Sequence, residues 1–206
     1  MYKMAELFSQ ADSFSQYAHS YHARLTELLA QLDWDAVERA IALITAARES
    51  GRALYIMGNG GSAATAAHLV NDLVAGAYIE GVPPFRAFSL SDNPATVTAL
   101  ANDSGYENIF AHQLKVQLLP GDVVLALSVS GNSPNILRAL EYARGQGNAT
   151  IGLCGFDGGG MPDWCDISIH TATTPDEYGP VEDVFSIVAH ILSGYMAMRL
   201  GKNLHH

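Results

Sequence analysis

Two runs rich in glycine and serine carry the clearest chemistry in this sequence. Gly58-Asn59-Gly60-Gly61-Ser62 follows a short apolar run and leads into an alanine-rich stretch, and Leu127-Ser128-Val129-Ser130-Gly131-Asn132-Ser133-Pro134 repeats that arrangement. A turn of this kind at the start of a helix aims backbone N–H groups and the positive end of the helix dipole at an anion. Ser62, Ser128, Ser130 and Ser133 add neutral hydroxyl donors. A tight turn explains the glycines of the first run by their permissive dihedrals alone. An N-cap role explains Ser133, and Pro134 suits a first helical turn. Neither account uses Ser128 or Ser130. Two such turns on adjacent strands point to a single phosphate held by hydroxyls and amides, without any lysine.

A second set of residues is ionisable. His68 and Asp72 are four residues apart, so on a helix they share one face and can bind one metal ion or act on one substrate; a hydrogen-bonded pair on a helix surface accounts for them equally well. Further on, Pro180-Val181-Glu182-Asp183 reads as the start of the last long helix, with its two acids in the first turn, where they suit the dipole. His190 lies in the apolar run Ile187-Val188-Ala189-His190-Ile191-Leu192, the setting of a satisfied core histidine more often than of a ligand. Asn102 and Asp103 fall in a polar turn after Ala95 to Ala101, where they can grip sugar hydroxyls or simply make the turn.

The elements that must position these groups are legible from periodicity. Apolar residues recur at helical intervals from Phe8 to Leu32 and again from Trp34 to Glu49, which predicts a helical hairpin over residues 1–50 whose apolar stripe is buried on the core or on another subunit. Residues 51–206 then alternate short apolar strands with helices. The strands are read at Ala53 to Met57, Phe85 to Leu90, Val123 to Leu127, Thr150 to Cys154 and Ile167 to His170. This alternation predicts an α/β, doubly wound parallel sheet, with ligands gathered at the carboxyl ends of its strands. No linker or internal repeat interrupts it.

Composition narrows the function. Eleven Lys and Arg stand against 21 Asp and Glu, and the net charge of −10 opposes binding to nucleic acid. Gly58-x-Gly60-x-x-Ala63 fits the dinucleotide fingerprint only loosely, since Glu80 precedes the next strand and does not end it. The absence of a Gly-Lys-Ser/Thr run excludes a nucleoside-triphosphate loop. Cys154 and Cys165 lack metal-type spacing and are read as buried thiols. No apolar run is read as approaching the ~20 residues that span a bilayer, and the N-terminus has no leader pattern, so the expected location is the cytoplasm. His205 and His206 are open to two origins, native or appended.

The order and spacing of these motifs, with Asp157-Gly158-Gly159 added, resemble the SIS (sugar isomerase) domain phosphoheptose isomerases over nearly the whole chain. The resemblance implies a flavodoxin-like, five-stranded parallel sheet, a homotetramer with sites at subunit interfaces, and conversion of sedoheptulose 7-phosphate into a heptose 7-phosphate. It also implies phosphate held by Ser62, Ser128, Ser130 and Ser133, and substrate contacts from Asn59, Gly60, Asn102 and Asp103. Where family members hold zinc, the ligand positions fall on His68, Asp72, Glu182 and His190. Two of these depart from the pattern, because the family usually has Glu at position 72 and Gln at position 182. Asp72 is one methylene shorter, which sets its carboxylate back by about 1 Å, a displacement that can cost about 100-fold. The reaction expected is aldose–ketose isomerisation through an enediol, with Asp72 and His190 as base and acid and zinc as Lewis acid. The alternative is a non-catalytic SIS module that binds a sugar phosphate or a protein partner such as a replication initiator.

Overall fold

The computed structural model describes residues 2–202, so the His205 and His206 pair lies outside the described residues. Five parallel strands, β1 (Ala53–Gly58), β2 (Arg86–Ser89), β3 (Val123–Ser128), β4 (Ala149–Cys154) and β5 (Ile167–His170), form one sheet in the order β2-β1-β3-β4-β5. Each strand matches its sequence expectation to within a residue or so. Along β1, Leu54 and Ile56 face one core, while Ala53, Tyr55 and Met57 face the other, as the two-residue period of a strand requires. Both sheet faces are therefore covered, which is why the strands read as unbroken apolar runs.

The expected N-terminal hairpin proves to be three helices: α1 (Lys3–Ser9), α2 (Phe14–Ala30) and α3 (Trp34–Glu49). The single stretch read from Phe8 to Leu32 is broken at Ser13, whose side chain caps α2 by accepting from Gln16 N–H at 3.2 Å. Asp33 caps α3 in the same way. The hairpin's stripe is buried within this chain: Leu28, Leu32, Ala36, Val37, Ala40 and Ile44 share one cluster with Leu54, Ile56 and Val123 of the sheet.

Of the remaining helices, α4 (Gly60–Asn71) continues through a π-helical turn, Asp72–Gly76. It packs beside α8 (Tyr178–Arg199), on the face that α3 also covers. On the opposite face, α5 (Pro94–Ser104), α6 (Ile109–Gln117) and α7 (Pro134–Gly145) enclose the second core. Helix α8 corrects two sequence expectations. It starts at Tyr178, so Glu182 and Asp183 belong to its second turn and do not serve the helix end. At 22 residues it also has the length and hydropathy of a bilayer span, although half of its most apolar stretch is buried inside the fold. The cysteines are less alike than expected: Cys154 is buried and Cys165 only half-buried, and burial pushes both thiols up, Cys165 to about 12.

Candidate active site

The chain reverses its direction across the sheet between β1 and β3, which are hydrogen-bonded neighbours with Gly58 opposite Leu127. A crevice outside the strand ends at such a switch point is where doubly wound sheets bind ligands. Both glycine–serine runs end there. They line a cleft of about 140 Å³ with Asn59, Ser62, Ser128, Ser130 and Ser133, and with Tyr178 and Glu182 of α8 at its rim. Among the described residues, no lysine or arginine lines it.

The cleft is built to present donors. Asn59 and Ser133 occupy the N-cap positions of α4 and α7, yet neither side chain caps its helix. The first N–H groups of α4 are thus left for a ligand, whereas α7 offers fewer, since Pro134 has no N–H and Ile136 N–H donates to Asn135 Oδ1 and to the Ser133 carbonyl. The N-cap account of Ser133 fails on this point, since its hydroxyl lies 3.4 Å from that of Ser128 and inside the cleft. Ser62 and Ser128 are 4 % and 5 % exposed, and both line the cleft. Gly131 makes the serine loop possible. It holds φ +63°, and a Cβ there would collide with the backbone of Gly158. Asn132 Oδ1 accepts from Gly160 N–H at 2.9 Å, so the Asp157–Gly160 loop buttresses the serine loop from behind.

Asn59 is fixed by two residues that the sequence did not single out. Its amide pairs reciprocally with that of Asn135 at 3.0 and 2.8 Å, and Tyr106 donates to its Oδ1 at 2.9 Å. Asn135 is 1 % exposed, and an amide right after a helix-starting proline was the only signal the sequence offered. Gly60, at φ +52°, opens α4 beside Asn59. Asn102 and Asp103 are not brought here. They lie in α5, not in a turn, exposed and hydrogen-bonded to each other at 2.8 Å.

From the cleft, α4 and α8 run side by side in the same direction, and polar residues meet along their seam. Gly61 faces Glu182 so closely that a Cβ would collide with the carboxylate. Thr65 Oγ1 lies 3.3 Å from Ser186 Oγ, His68 Nε2 lies 2.9 Å from His190 Nε2, and Asp72 Oδ2 accepts from Ser193 Oγ at 3.0 Å. His190 is therefore an exposed seam residue, which overturns its reading as a core histidine. The positions 182, 186, 190 and 193 stay on one face while surrounding apolar residues face the core, so an apolar run hid a polar stripe.

His68, Asp72 and His190 form a cluster whose ligand atoms lie within 4.8 Å of one another. The imidazole rings meet edge to face at 86°, and Asp72 Oδ1 is 3.5 Å from His68 Nε2. Two neutral imidazoles satisfy such a contact only when one Nε2 carries a proton and the other is bare. Two nitrogens and a carboxylate oxygen are a donor set that zinc accepts, with one position left for water or substrate. Glu182 is not in this cluster. It stands eight residues before His190 on α8, about 12 Å along the axis at 1.5 Å per residue, and lines the serine cleft instead. Of the four residues expected as ligands, the structure brings three together.

A larger groove of about 600 Å³ lies between α3 and α8, lined by Trp34, Ile41, Phe85, Ile191 and Tyr195 among others. It is mostly apolar, with Arg48, Glu49 and Arg199 among its polar lining.

Comparison with known proteins agrees with this geometry. The SIS domain family model matches residues 16–155. A phosphoheptose isomerase of Rhodospirillum rubrum is 40 % identical over 159 residues, covering 77 % of this chain and 83 % of the relative. One from Geotalea daltonii is 38 % identical over 87 % of this chain and 92 % of its own length. The solved structure of a phosphoheptose isomerase from Francisella tularensis superposes with a TM-score of 0.81 at 26 % identity, covering 91 % of this chain and 97 % of that one.

Proposed function

This chain belongs to the SIS domain family, alongside its phosphoheptose isomerases, and from that premise we propose that it interconverts a ketose phosphate and an aldose phosphate, sedoheptulose 7-phosphate and a heptose 7-phosphate, through an enediol. One observation carries the reading. A cleft of hydroxyls and free helix N–H groups opens onto a helix seam that bears an imidazole pair and a carboxylate.

In this reading Ser62, Ser128, Ser130 and Ser133 hold the phosphate with the N-termini of α4 and α7, and Asn59 and Gly60 contact the sugar. Hydroxyl and amide donors suit a dianion without the strong field of a lysine, so the product is released readily. Asn102 and Asp103 enter only as residues of a neighbouring subunit, since within the chain they lie away from the cleft. Asp72 takes the proton next to the carbonyl, and His190 returns one to the neighbouring carbon. Ser193 keeps one Asp72 oxygen occupied, so Oδ1 is the atom left to act as base. His68, packed against His190, orients its ring.

His68, Asp72 and His190 are also the residues that would hold zinc. A bound zinc ion supplies Lewis-acid polarisation of the substrate oxygens. A lone pair given to a metal is not available to a proton, so the base and ligand roles of Asp72 belong to different states of the site. The homotetramer belongs to the same proposal. The groove between α3 and α8 and the exposed Ile191 and Tyr195 give such an assembly apolar surface to bury, which light scattering tests. The reaction is assigned to the cytoplasm.

The test is turnover. Purified chain is incubated with a panel of ketose and aldose phosphates of five to seven carbons, and products are followed by NMR. The reading requires conversion of the seven-carbon ketose phosphate above the others. Binding of these sugars with no conversion of any would favour a sugar-phosphate-binding module.

A further inference from the structure

Ser193 lies on α8 three residues after His190, on the same helix face. It is 5 % exposed, and its hydroxyl has two acceptors in reach: Asp72 Oδ2 at 3.0 Å and the His190 carbonyl at 3.4 Å. A hydroxyl donates one proton, and the closer, charged acceptor takes it. Asp72 Oδ1 is then left facing His68 Nε2 at 3.5 Å. The backbone reinforces this placement, because Asp72 begins the π-helical turn and its carbonyl accepts from Ala77 N–H at 2.8 Å. A π turn of this kind widens a helix locally and recurs at functional sites.

We propose that Ser193 is a positioning residue of the metal cluster: by holding Asp72 Oδ2 it presents Oδ1 to the point between His68 and His190. An aspartate reaches less far than a glutamate and gains more from being held. This inference rests on the reading of His68, Asp72 and His190 as a zinc site.

Zinc affinity, measured by chelator competition on the full chain, tests it in four proteins: wild type, Ser193→Ala, Asp72→Glu and the double variant. Ser193→Ala should weaken zinc binding about 10–100-fold, the usual effect of removing a partner that orients a ligand. Its thermal unfolding should stay close to wild type. In the Asp72→Glu background, where the longer side chain reaches the ion unaided, the same substitution should change affinity by no more than about twofold, the scatter of independent sites. If Ser193→Ala binds zinc as wild type does, the inference is overturned while the zinc site stands. If it weakens zinc equally in both backgrounds, Ser193 acts through general packing and the inference is overturned too. A wild type that takes up no zinc overturns the metal reading itself, and the inference with it.

Discussion

At the start of α8, Glu177 is fully buried, and its carboxylate receives Arg24 Nε at 2.7 Å, Arg24 Nη2 at 3.2 Å, and the N–H and hydroxyl of Thr174 at 2.8 and 3.0 Å. At its middle, His190 is exposed, and its Nε2 faces the Nε2 of His68. Both clusters join α8 to another helix through ionisable groups, but only the first is closed. Beside it, Tyr21 donates to Asp183 at 2.6 Å, and burial together with that carboxylate raises the phenol well above its usual range. Asp176 caps α1 by accepting from the N–H groups of Lys3, Met4 and Ala5. Both oxygens of Asp176 and of Glu177 have donors, as a cluster needs when its task is to fasten α1 and α2 onto the sheet domain. The seam cluster leaves ring nitrogens and a carboxylate oxygen directed at one another in partial exposure, and groups arranged so gain from a further ligand.

This contrast is broken if substitutions in the two clusters have the same kind of effect. His190→Ala should lower turnover about 10²–10⁴-fold and abolish tight zinc binding, while stability stays within about 0.5 kcal/mol, as at an exposed position. Arg24→Ala should do the reverse. It strands the fully buried Glu177 and should cost about 3–5 kcal/mol in denaturant unfolding, leaving the zinc affinity of the folded protein unchanged. Between these extremes, Ser130→Ala and Ser133→Ala should each weaken sugar-phosphate binding by about 1.5–3 kcal/mol in calorimetry, the value of a hydrogen bond to a charged group.

The smallest effect concerns pH. Burial pushes the Asp176 and Glu177 carboxyls up, but the hydrogen bonds outweigh it: those from Thr174, Ala5 and Met4 for Asp176, and those from Arg24 and Thr174 for Glu177. Both end below the usual carboxylate range. Their stabilisation is therefore complete above the unfolded values of about 4 and is lost as pH falls through the lower folded ones. Asp176→Ala should remove a helix cap worth about 1 kcal/mol at neutral pH. It should also flatten the acid limb of the stability curve. An unchanged acid limb would mean that the carboxylate takes no part in docking α1.

The strands and the two glycine–serine runs were readable because backbone-built features announce themselves locally: a glycine for a positive φ, a serine and a proline at a helix start. Ser128, Ser130 and Ser133 accordingly lie where the sequence placed them. The features that were misread depend on what lies across a packing interface. Asn102 and Asp103 read as turn residues, but they extend α5 up to Gly105 at φ +86°. Glu182 looked like a helix-end charge, but it lies in the second turn of α8, against the glycine opposite it on α4. The roles of Asn135 and Ser193 come from partners 76 and 121 residues away, which no local spacing encodes.

The central claim is that the open seam cluster carries the chemistry. It is tested most directly by running wild type and Asp72→Asn side by side on sedoheptulose 7-phosphate in deuterated water and following the sugar protons by NMR. The account predicts that wild type forms an aldose phosphate carrying deuterium on the carbon next to its carbonyl, and that folded Asp72→Asn forms it at least about 100-fold more slowly. Equal rates of product formation in the two proteins would contradict it.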